Sequence, residues 1–439
     1  MNAPDFKKNY LEAFNDWEKS ALTKDPFWIR ETREAALAYF DKTALPTPSD
    51  EAWRYADMDP LFKISFALKG ERHSKETVSR ELTYLGFDAD GADWLVFVNG
   101  HFSQALSKVE DLPRGVKAQS LIQSLSDGPL KRYFSHILPF ENRPFVALNY
   151  AYFTDGLFLH VPKGRSLERP LHVIYLSSNS GQPTQSHVRN LILMEEDSQA
   201  KVVEHYWGNN LNPYLTNAVT KIALEKGSSL EHTKIQQESD LAYHLGVVAA
   251  RQSQGSRFLS RTLATGGALG RSEVETVLAE PHAECSLEGL ALSRGKQTLD
   301  LHSFVDHMAP HGTSDQLFKA VADKGSSAVF DGRVLVREGA QKTDARQSNK
   351  NLELAKDAKV YAKPQLQIYA NDVKCSHGSA TGQLDEEALF YFQSRGISRE
   401  DARRNLVFAF ADEMVDRVKD KYLQKPYRKM VEEWLEGKS

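Results

Sequence analysis

Between about residue 154 and residue 368, apolar and β-branched residues come in short runs separated by Gly, Ser, Asp and Lys. Residues 157–161, 171–176, 190–194 and 201–205 are examples. Long amphipathic helical patterns are scarce here, and strand-and-turn spacing without crossover helices excludes a doubly wound sheet. Small-polar turns lead into extended runs at residues 197–202, 226–230 and 254–258, with a poorer copy at 281–285 and a good one at 324–329. The first three copies recur every ~28–30 residues, after which the spacing drifts. A coil of that length closed by small-residue turns predicts a β-solenoid, in which each coil satisfies its backbone through the next. An ordinary β-sandwich is the alternative.

The flanks read differently. Up to about residue 68, Trp17, Ala21, Trp28, Ala35 and Tyr39 stand at near-helical spacing, punctuated by Pro26, Pro46 and Pro48. Residues 70–150 are mixed, with a strand at Trp94 to Val98 running into the tight turn Asn99-Gly100. After Gly382, acidic residues open a helix that stops at Arg395-Gly396. Ser398-Arg399-Glu400-Asp401 is a capping box for the next helix. That helix carries Leu406, Phe410, Met414, Val418 and Tyr422 as one stripe, with Val407 and Val415 beside it, and is expected to run to about Lys425. The stripe is either a packing face or a docking face. The division expected is a helical and mixed region at 1–150, a solenoid core at 151–382 and a helical tail at 383–439.

Composition narrows the function. The 439 residues carry 55 basic and 59 acidic groups, a net charge of -4, with no dominant block of one sign, so no nucleic-acid footprint is expected. No apolar run approaches the ~18 residues of a membrane span, and the N-terminus has no signal-peptide character, so a cytoplasmic protein is expected. Cys285 and Cys375 are the two cysteines; no CxxC pair exists to hold zinc or a whole cluster.

Standard catalytic signatures are absent: no GxxxxGK[ST], GxSxG or HExxH occurs, and ATP is not expected to bind this chain. The glycine-rich stretch at 266–272 has the wrong spacing and no lysine; it reads as a turn between strands. His302, His307 and His311 form the densest histidine group, with Asp306 as a fourth potential ligand. Five residues between His302 and His307 put them on opposite faces of a regular strand, so turn or surface histidines are the plainer reading. Cys375 and His377 differ by two, which points both to one side of an extended backbone. A thiolate with an imidazole suits iron or zinc, yet two ligands complete neither a tetrahedral site nor a four-cysteine cluster. A buried inert cysteine beside a structural histidine has the same spacing.

At these residues the chain resembles the SufB/SufD family of iron–sulfur cluster assembly subunits, on its SufD side. The resemblance rests on PTPSDEAWRYADMDP at 46–60, PQLQIYANDVKCSHGSATG at 364–382, LDEEALFYFQSRGI at 384–397, and the stretches at 330–336 and 347–352. It is strong over about 300–420 and looser before. It implies a mainly β fold, a right-handed parallel β-helix with helical regions at both ends, and a non-catalytic scaffold role. The implied partners are SufB, through the β-helices, and the ATPase SufC, at the C-terminal helices around Leu384 to Arg395 and the striped helix. The resemblance leaves room for a homodimer in isolation. A transient iron–sulfur cluster would be shared with SufB. Flavin is associated with the family complex, although no flavin motif is legible here.

Carried over by position, His377 is the implied cluster ligand or iron-entry group, and Cys375 ranks below it. The segment Lys374 to Gly378 matches SufD and not the glutamate-containing stretch of SufB. The assembly cysteine of SufB falls near Asn349, where this chain has no thiol. The rival expectations are a β-helix polysaccharide-modifying enzyme working through the His302–His311 group, or a structural adaptor without cluster contact.

Overall fold

The computed structural model describes residues 2–21, 25–67, 93–110, 112–134, 138–178, 181–208 and 211–437; residues 68–92, where the mixed region was expected to begin, lie outside them. Its centre is a parallel β-solenoid. The strands are β1 Asp93–Val98, β2 His101–Phe102, β3 Lys117–Ser120, β4 Leu157–Val161, β5 Leu171–Ser177, β6 Thr184–Met194, β7 Gln199–Gly208, β8 Tyr214–Leu224, β9 Ser229–Glu238 and β10 Ala242–Gln252. They continue as β11 Arg257–Gly266, β12 Leu269–Leu278, β13 Glu284–Ser293, β14 Thr298–His307, β15 Thr313–Ala322, β16 Ser327–Val336, β17 Asp344–Glu353, β18 Lys359–Ile368 and β19 Lys374–Gly382.

Successive strands alternate between two sheets. One runs β19-β17-β15-β13-β11-β9-β7-β5-β1-β2, the other β18-β16-β14-β12-β10-β8-β6-β4-β3. From β4 on, register partners in successive coils lie 26 to 33 residues apart, from Tyr243–Leu269 to Phe158–Leu191. Alternation along each strand sends Val202, Phe318, Phe330, Val334 and Ala345 into the core between the sheets, and their neighbours outward. The outer face of the even sheet packs on N-terminal helices, through residues such as Leu193, Leu215 and Val219. The outer face of the odd sheet packs on C-terminal helices through Val203, Leu263, Leu290 and Val321.

The corner where each coil returns to the odd sheet explains the repeat. Gly164, Asp197, Gly227, Gly255, His282, His311 and Lys342 all sit there with φ between +56° and +67°. Each donates its N–H to a carbonyl one coil on: Asp197 to Lys226, Gly227 to Gln254, Gly255 to Pro281, His282 to Pro310 and His311 to Gln341. The copy expected at 324–329 belongs to the opposite corner, between β15 and β16, with Gly325 at its tip. The apparent drift in spacing comes from combining two corners in one series. Asn99 and Gly100, with φ of +48° and +78°, close the β1–β2 hairpin. Within the stretch at 266–272, Gly267 and Ala268 make the expected turn between β11 and β12, and residues 269–272 already belong to β12.

The helices are α1 Ala3–Ala21, α2 Phe27–Lys42, α3 Asp59–Phe62, α4 Gly128–Tyr133, α5 Pro144–Tyr152, α6 Glu386–Ser394, α7 Arg399–Asp416 and α8 Lys421–Leu435. In α2 the buried face is Ile29, Arg33, Ala36 and Phe40, so Ala35 points to solvent. Arg33 misleads a hydropathy reading: it is buried, paired with Asp25 at 3.0 Å, donating to the Ala151 and Phe153 carbonyls and lying over the Phe153 ring. Trp17 of the expected α1 stripe is buried, while the side chain of Ala21 lies outside the described residues. The Ser398 cap holds, accepting from Asp401 N–H at 3.0 Å. The striped helix ends at Asp416 and not near Lys425. Arg417 there turns onto the solenoid, ion-paired to Glu288 at 2.6 Å and Asp315 at 3.3 Å, and the chain restarts as α8.

Two predictions follow from this packing. Burial pushes His172 and His307 down to about 4 and His187 to about 3. An unfolded histidine titrates near ~6.5, so below that pH the unfolded chain binds more protons and stability falls as pH drops toward 4. Thermal melts should show a clear loss of Tm from pH 7 to pH 5, on the order of 1–2 kcal/mol from each of the three; a flat profile would contradict the burial. The second concerns two glycines. Gly255 has open space around it and a conformation its ladder neighbours Asp197 and His282 also adopt, so Gly255→Asn should cost under ~1 kcal/mol. Gly266 has φ +77° and a Cβ there would stand 1.8 Å from the Glu238 carbonyl oxygen. Gly266→Ala should therefore destabilise by at least ~2 kcal/mol in urea titration.

Candidate functional site

The two ends of the solenoid are built differently. At the first end the sheets finish in short antiparallel strands, β2 on β1 and β3 on β4. At the last end they finish in β18 and β19, full-length parallel strands with no further strand beside them among the described residues. The last coil is an open mouth.

Cys375 lies beside Ala345, and His377 beside Gln347. Ala345 and Gln347 are buried and point inward, so Cys375 and His377 share the inner face of the terminal coil, as their spacing predicts. Cys375 is half-buried and packs on the core edge, while His377 is exposed because nothing stacks above it. Ser379 and Thr381 continue the row beside Asn349 and Asn351. Ser379 Oγ donates to Asn349 Oδ1 at 3.0 Å, and Asn351 Nδ2 donates to Thr381 Oγ1 at 3.1 Å. Asn349 also donates to the Phe318 carbonyl, which fixes the amide at the position where a thiol was not expected. Below His377, Gln347 donates to Gln316, which accepts from Ser303 as well.

The opposite wall is apolar. Val360, Ala362, Pro364, Leu366 and Ile368 of β18 pair with the inward residues Ala328, Phe330, Gly332, Val334 and Val336. They are only partly covered, and Ile368 is 41% exposed. The mouth thus has one wall of thiol, imidazole, hydroxyl and amide groups and one wall of bare core.

The two thiols differ. Burial, with Asp315 nearby, pushes Cys285 far up and leaves it inert inside the solenoid. Burial also raises Cys375, as does the Asp344 charge, while a backbone hydrogen bond from Ala345 opposes them. At neutral pH Cys375 is a protonated thiol unless a metal displaces the proton.

The histidine group at 302–311 disperses. His302 faces outward on β14, paired with Asp300 at 2.7 Å. His307 points inward and meets Ser314 Oγ at 2.9 Å. His311 occupies the turn ladder and stacks on His282 at 4.8 Å. Asp306 holds Arg337 through both oxygens. No group of three or more His, Cys, Asp or Glu side chains stands together for a metal among the described residues.

The tail divides into a buried and an exposed part. Val407, Met414, Val415 and Val418 of the stripe pack on the odd sheet, and Leu406 and Phe410 are half-buried. The stripe is therefore a packing face, the first of the two readings its spacing left open; the Tyr422 side chain lies outside the described residues. On α6, by contrast, Phe390 and Tyr391 are 71% and 58% exposed.

Among the described residues this is an uncapped parallel solenoid that offers donor groups and bare core at one end. The comparisons give that class its identity. Residues 175–410 match the family described as the SUF system FeS cluster assembly SufBD core domain, and residues 4–173 match the SufBD protein N-terminal region. The chain belongs to the SufBD family of iron–sulfur cluster assembly proteins. It is 31% identical to an iron–sulfur cluster assembly SufBD family protein of Synechocystis over 96% of this chain and 94% of the relative. It is 29% identical to the iron–sulfur cluster assembly protein SufD of Escherichia coli over 90% of each. It is also 24% identical to SufB of Bacillus subtilis over 90% of this chain and 87% of the relative.

The row Gln347, Asn349, Asn351 and its continuation Ser379, Thr381 escaped the sequence reading. Part of its signal was available: amides at alternate positions where the two preceding coils place Leu287, Gly289, Ala291 and Gln316, Phe318, Ala320.

Proposed function

We propose that this chain is a SufD-type, non-catalytic scaffold subunit that completes its open mouth against SufB and docks the ATPase SufC on its C-terminal helices. The observation that carries this reading is the uncapped last coil, with Cys375 and His377 on its inner face beside the bare apolar wall of β18. Edge strands with unpaired backbone groups are templates for another chain, and a protein that keeps two of full length has a use for them. The iron–sulfur cluster is cargo, shared with SufB across the mouth; His377 is this chain's ligand or iron-entry group, and Cys375 a secondary donor. In isolation the same edges would pair with a second copy.

Functionally the chain divides into residues 1–150, 151–382 and 383–439, the strands at 93–120 being built onto the first coils. The missing thiol at Asn349, together with Lys374 to Gly378, favours the SufD branch over SufB. Dispersal of His302, His307 and His311 counts against a polysaccharide-modifying enzyme, and the exposed imidazole at the mouth counts against a purely structural adaptor.

The SufC contact belongs on α6, where Phe390 and Tyr391 form an exposed aromatic pair. Aromatic side chains of this kind anchor interfaces.

His377→Ala should leave SufB binding within about twofold while lowering the cluster formed in the reconstituted complex at least about tenfold. Iron and acid-labile sulfide in the purified complex measure it, and an unchanged cluster content would remove His377 from the role. Phe390→Ala with Tyr391→Ala should weaken SufC binding by ~2 kcal/mol or more with little loss of Tm, since both rings are exposed and Tyr391 touches only its near neighbours Phe392 and Arg395. Normal SufC affinity of the folded double variant would place the contact elsewhere.

A further inference from the structure

The segment at 46–60 takes no part in the reading above, yet it makes an unusual set of contacts. It crosses the outer face of the even sheet as an irregular strap containing one turn of 3₁₀ helix, Glu51–Trp53. Its near footing is on β12. Arg271 donates to the Ala52 carbonyl at 2.7 Å and lies over the Trp53 ring at 3.9 Å. Arg271 is itself fixed by Glu273 at 2.7 Å and by Asp300 of β14 at 2.6 Å. Its far footing is on the last strand, β18. Tyr55 stacks on Tyr361 with centroids 3.9 Å apart and planes 11° from parallel, and Glu51 pairs with Lys363. Between the footings the strap stands clear of the sheet over a cavity of about 280 Å³, lined by Asp300, His302, Asp331 and Val360 among others.

We propose that this strap is a clamp on the terminal coil, with Tyr55 and Tyr361 as positioning residues for the mouth. Every inner coil is held by a neighbour on both sides, whereas β18 has a strand on one side only. A contact that would be redundant on an inner strand is therefore a main restraint here. Because β18 leads directly through the turn at 369–373 into β19, holding β18 also sets where Cys375 and His377 stand. The two footings make the clamp span β12 to β18, so the fixed body of the solenoid is the reference against which the open end is positioned. The Glu51–Lys363 pair is exposed and screened by salt, which leaves the aromatic stack as the main hold. The clamp is a statement about the fold; only its bearing on cluster assembly rests on the scaffold reading.

Hydrogen–deuterium exchange on the full chain tests it without any cluster. Tyr55→Ala should speed exchange in residues 359–368 and 374–382 by about three- to tenfold, the size expected for losing one stacked pair in a local opening. Tyr55→Phe should stay close to the parent, and residues 199–238 should be unchanged in both. The Cys375 thiol should be alkylated faster in Tyr55→Ala by a similar factor. Equal exchange at 359–382 in the parent and Tyr55→Ala would overturn the clamp, and so would faster exchange spread evenly through 199–238. Should Tyr55→Ala fail to fold, Tyr361→Leu removes the same stack from the other side and is read by the same criteria.

Discussion

A parallel solenoid cannot close on itself, and this sets everything else in the molecule. Each coil meets its backbone needs through the coil on either side, so the first and last coils each leave one row of hydrogen-bonding groups and one layer of core without a partner. The chain treats its two ends unequally. The first end is finished by strands of two and four residues that run antiparallel and stop the pairing. The last end keeps strands of ten and nine residues in parallel register. The C-terminal helices, which follow directly, do not cover that end; they fold back onto the outer face of the odd sheet. The covering has been placed where it buries Leu263, Leu290 and Val321, and the mouth stays open among the described residues.

The interior shows how far such a stack tolerates polarity. Inside the middle coils, burial alone would push Glu204 up, but its hydrogen bond and charge from His232, with Tyr206 and Thr220, bring it down to about 2. Burial takes Lys234 down to about 8 against the pull of Glu204 and Glu238, and its ammonium donates to Ser272 at 2.9 Å. Glu238 accepts from Thr216 and pairs with His244 at 2.7 Å. The partners that offset the cost of these buried charges come largely from other strands, His232 of β9 and Thr220 of β8 for Glu204, Thr216 of β8 and His244 of β10 for Glu238. Toward the open end the interior turns neutral, through Leu287, Leu301, Phe318 and Phe330, before the polar row of the mouth.

Periodicity made the solenoid legible, since coil length is a property of the sequence itself and its turns need residues that accept positive φ. What stayed hidden was the sharing of that conformation. Asp197, His282, His311 and Lys342 adopt it as Gly227 and Gly255 do, so a search for glycine turns loses the series after three coils. The α2 face was misread because Arg33 is buried by an ion pair and two carbonyls brought in from residues 151 and 153, which hydropathy does not see. The stripe of α7 carried its own period but not its partner; only the sheet beneath Val407 and Met414 decides that it packs inward. The Cys375 and His377 pair was legible as two residues on one side. That this side is an inner face laid open depends on the strand count, and no local signal contains that number.

The geometry of the pair also says what kind of group it suits. Residues two apart on a strand put both side chains on one face about 6–7 Å apart at the backbone, near enough for both to reach one ion or one cluster, yet two ligands leave a tetrahedral site half filled. A thiol held protonated by burial must also lose its proton before it ligates, while an imidazole binds as the neutral base. On the proposed scaffold role, His377 is the more accessible ligand on this wall, and the remaining ligands would come from across the mouth. On that proposal the open last coil has a chemical use as well as a topological origin: a complete ligand set on one chain would hold the cargo, and an incomplete one could let it go.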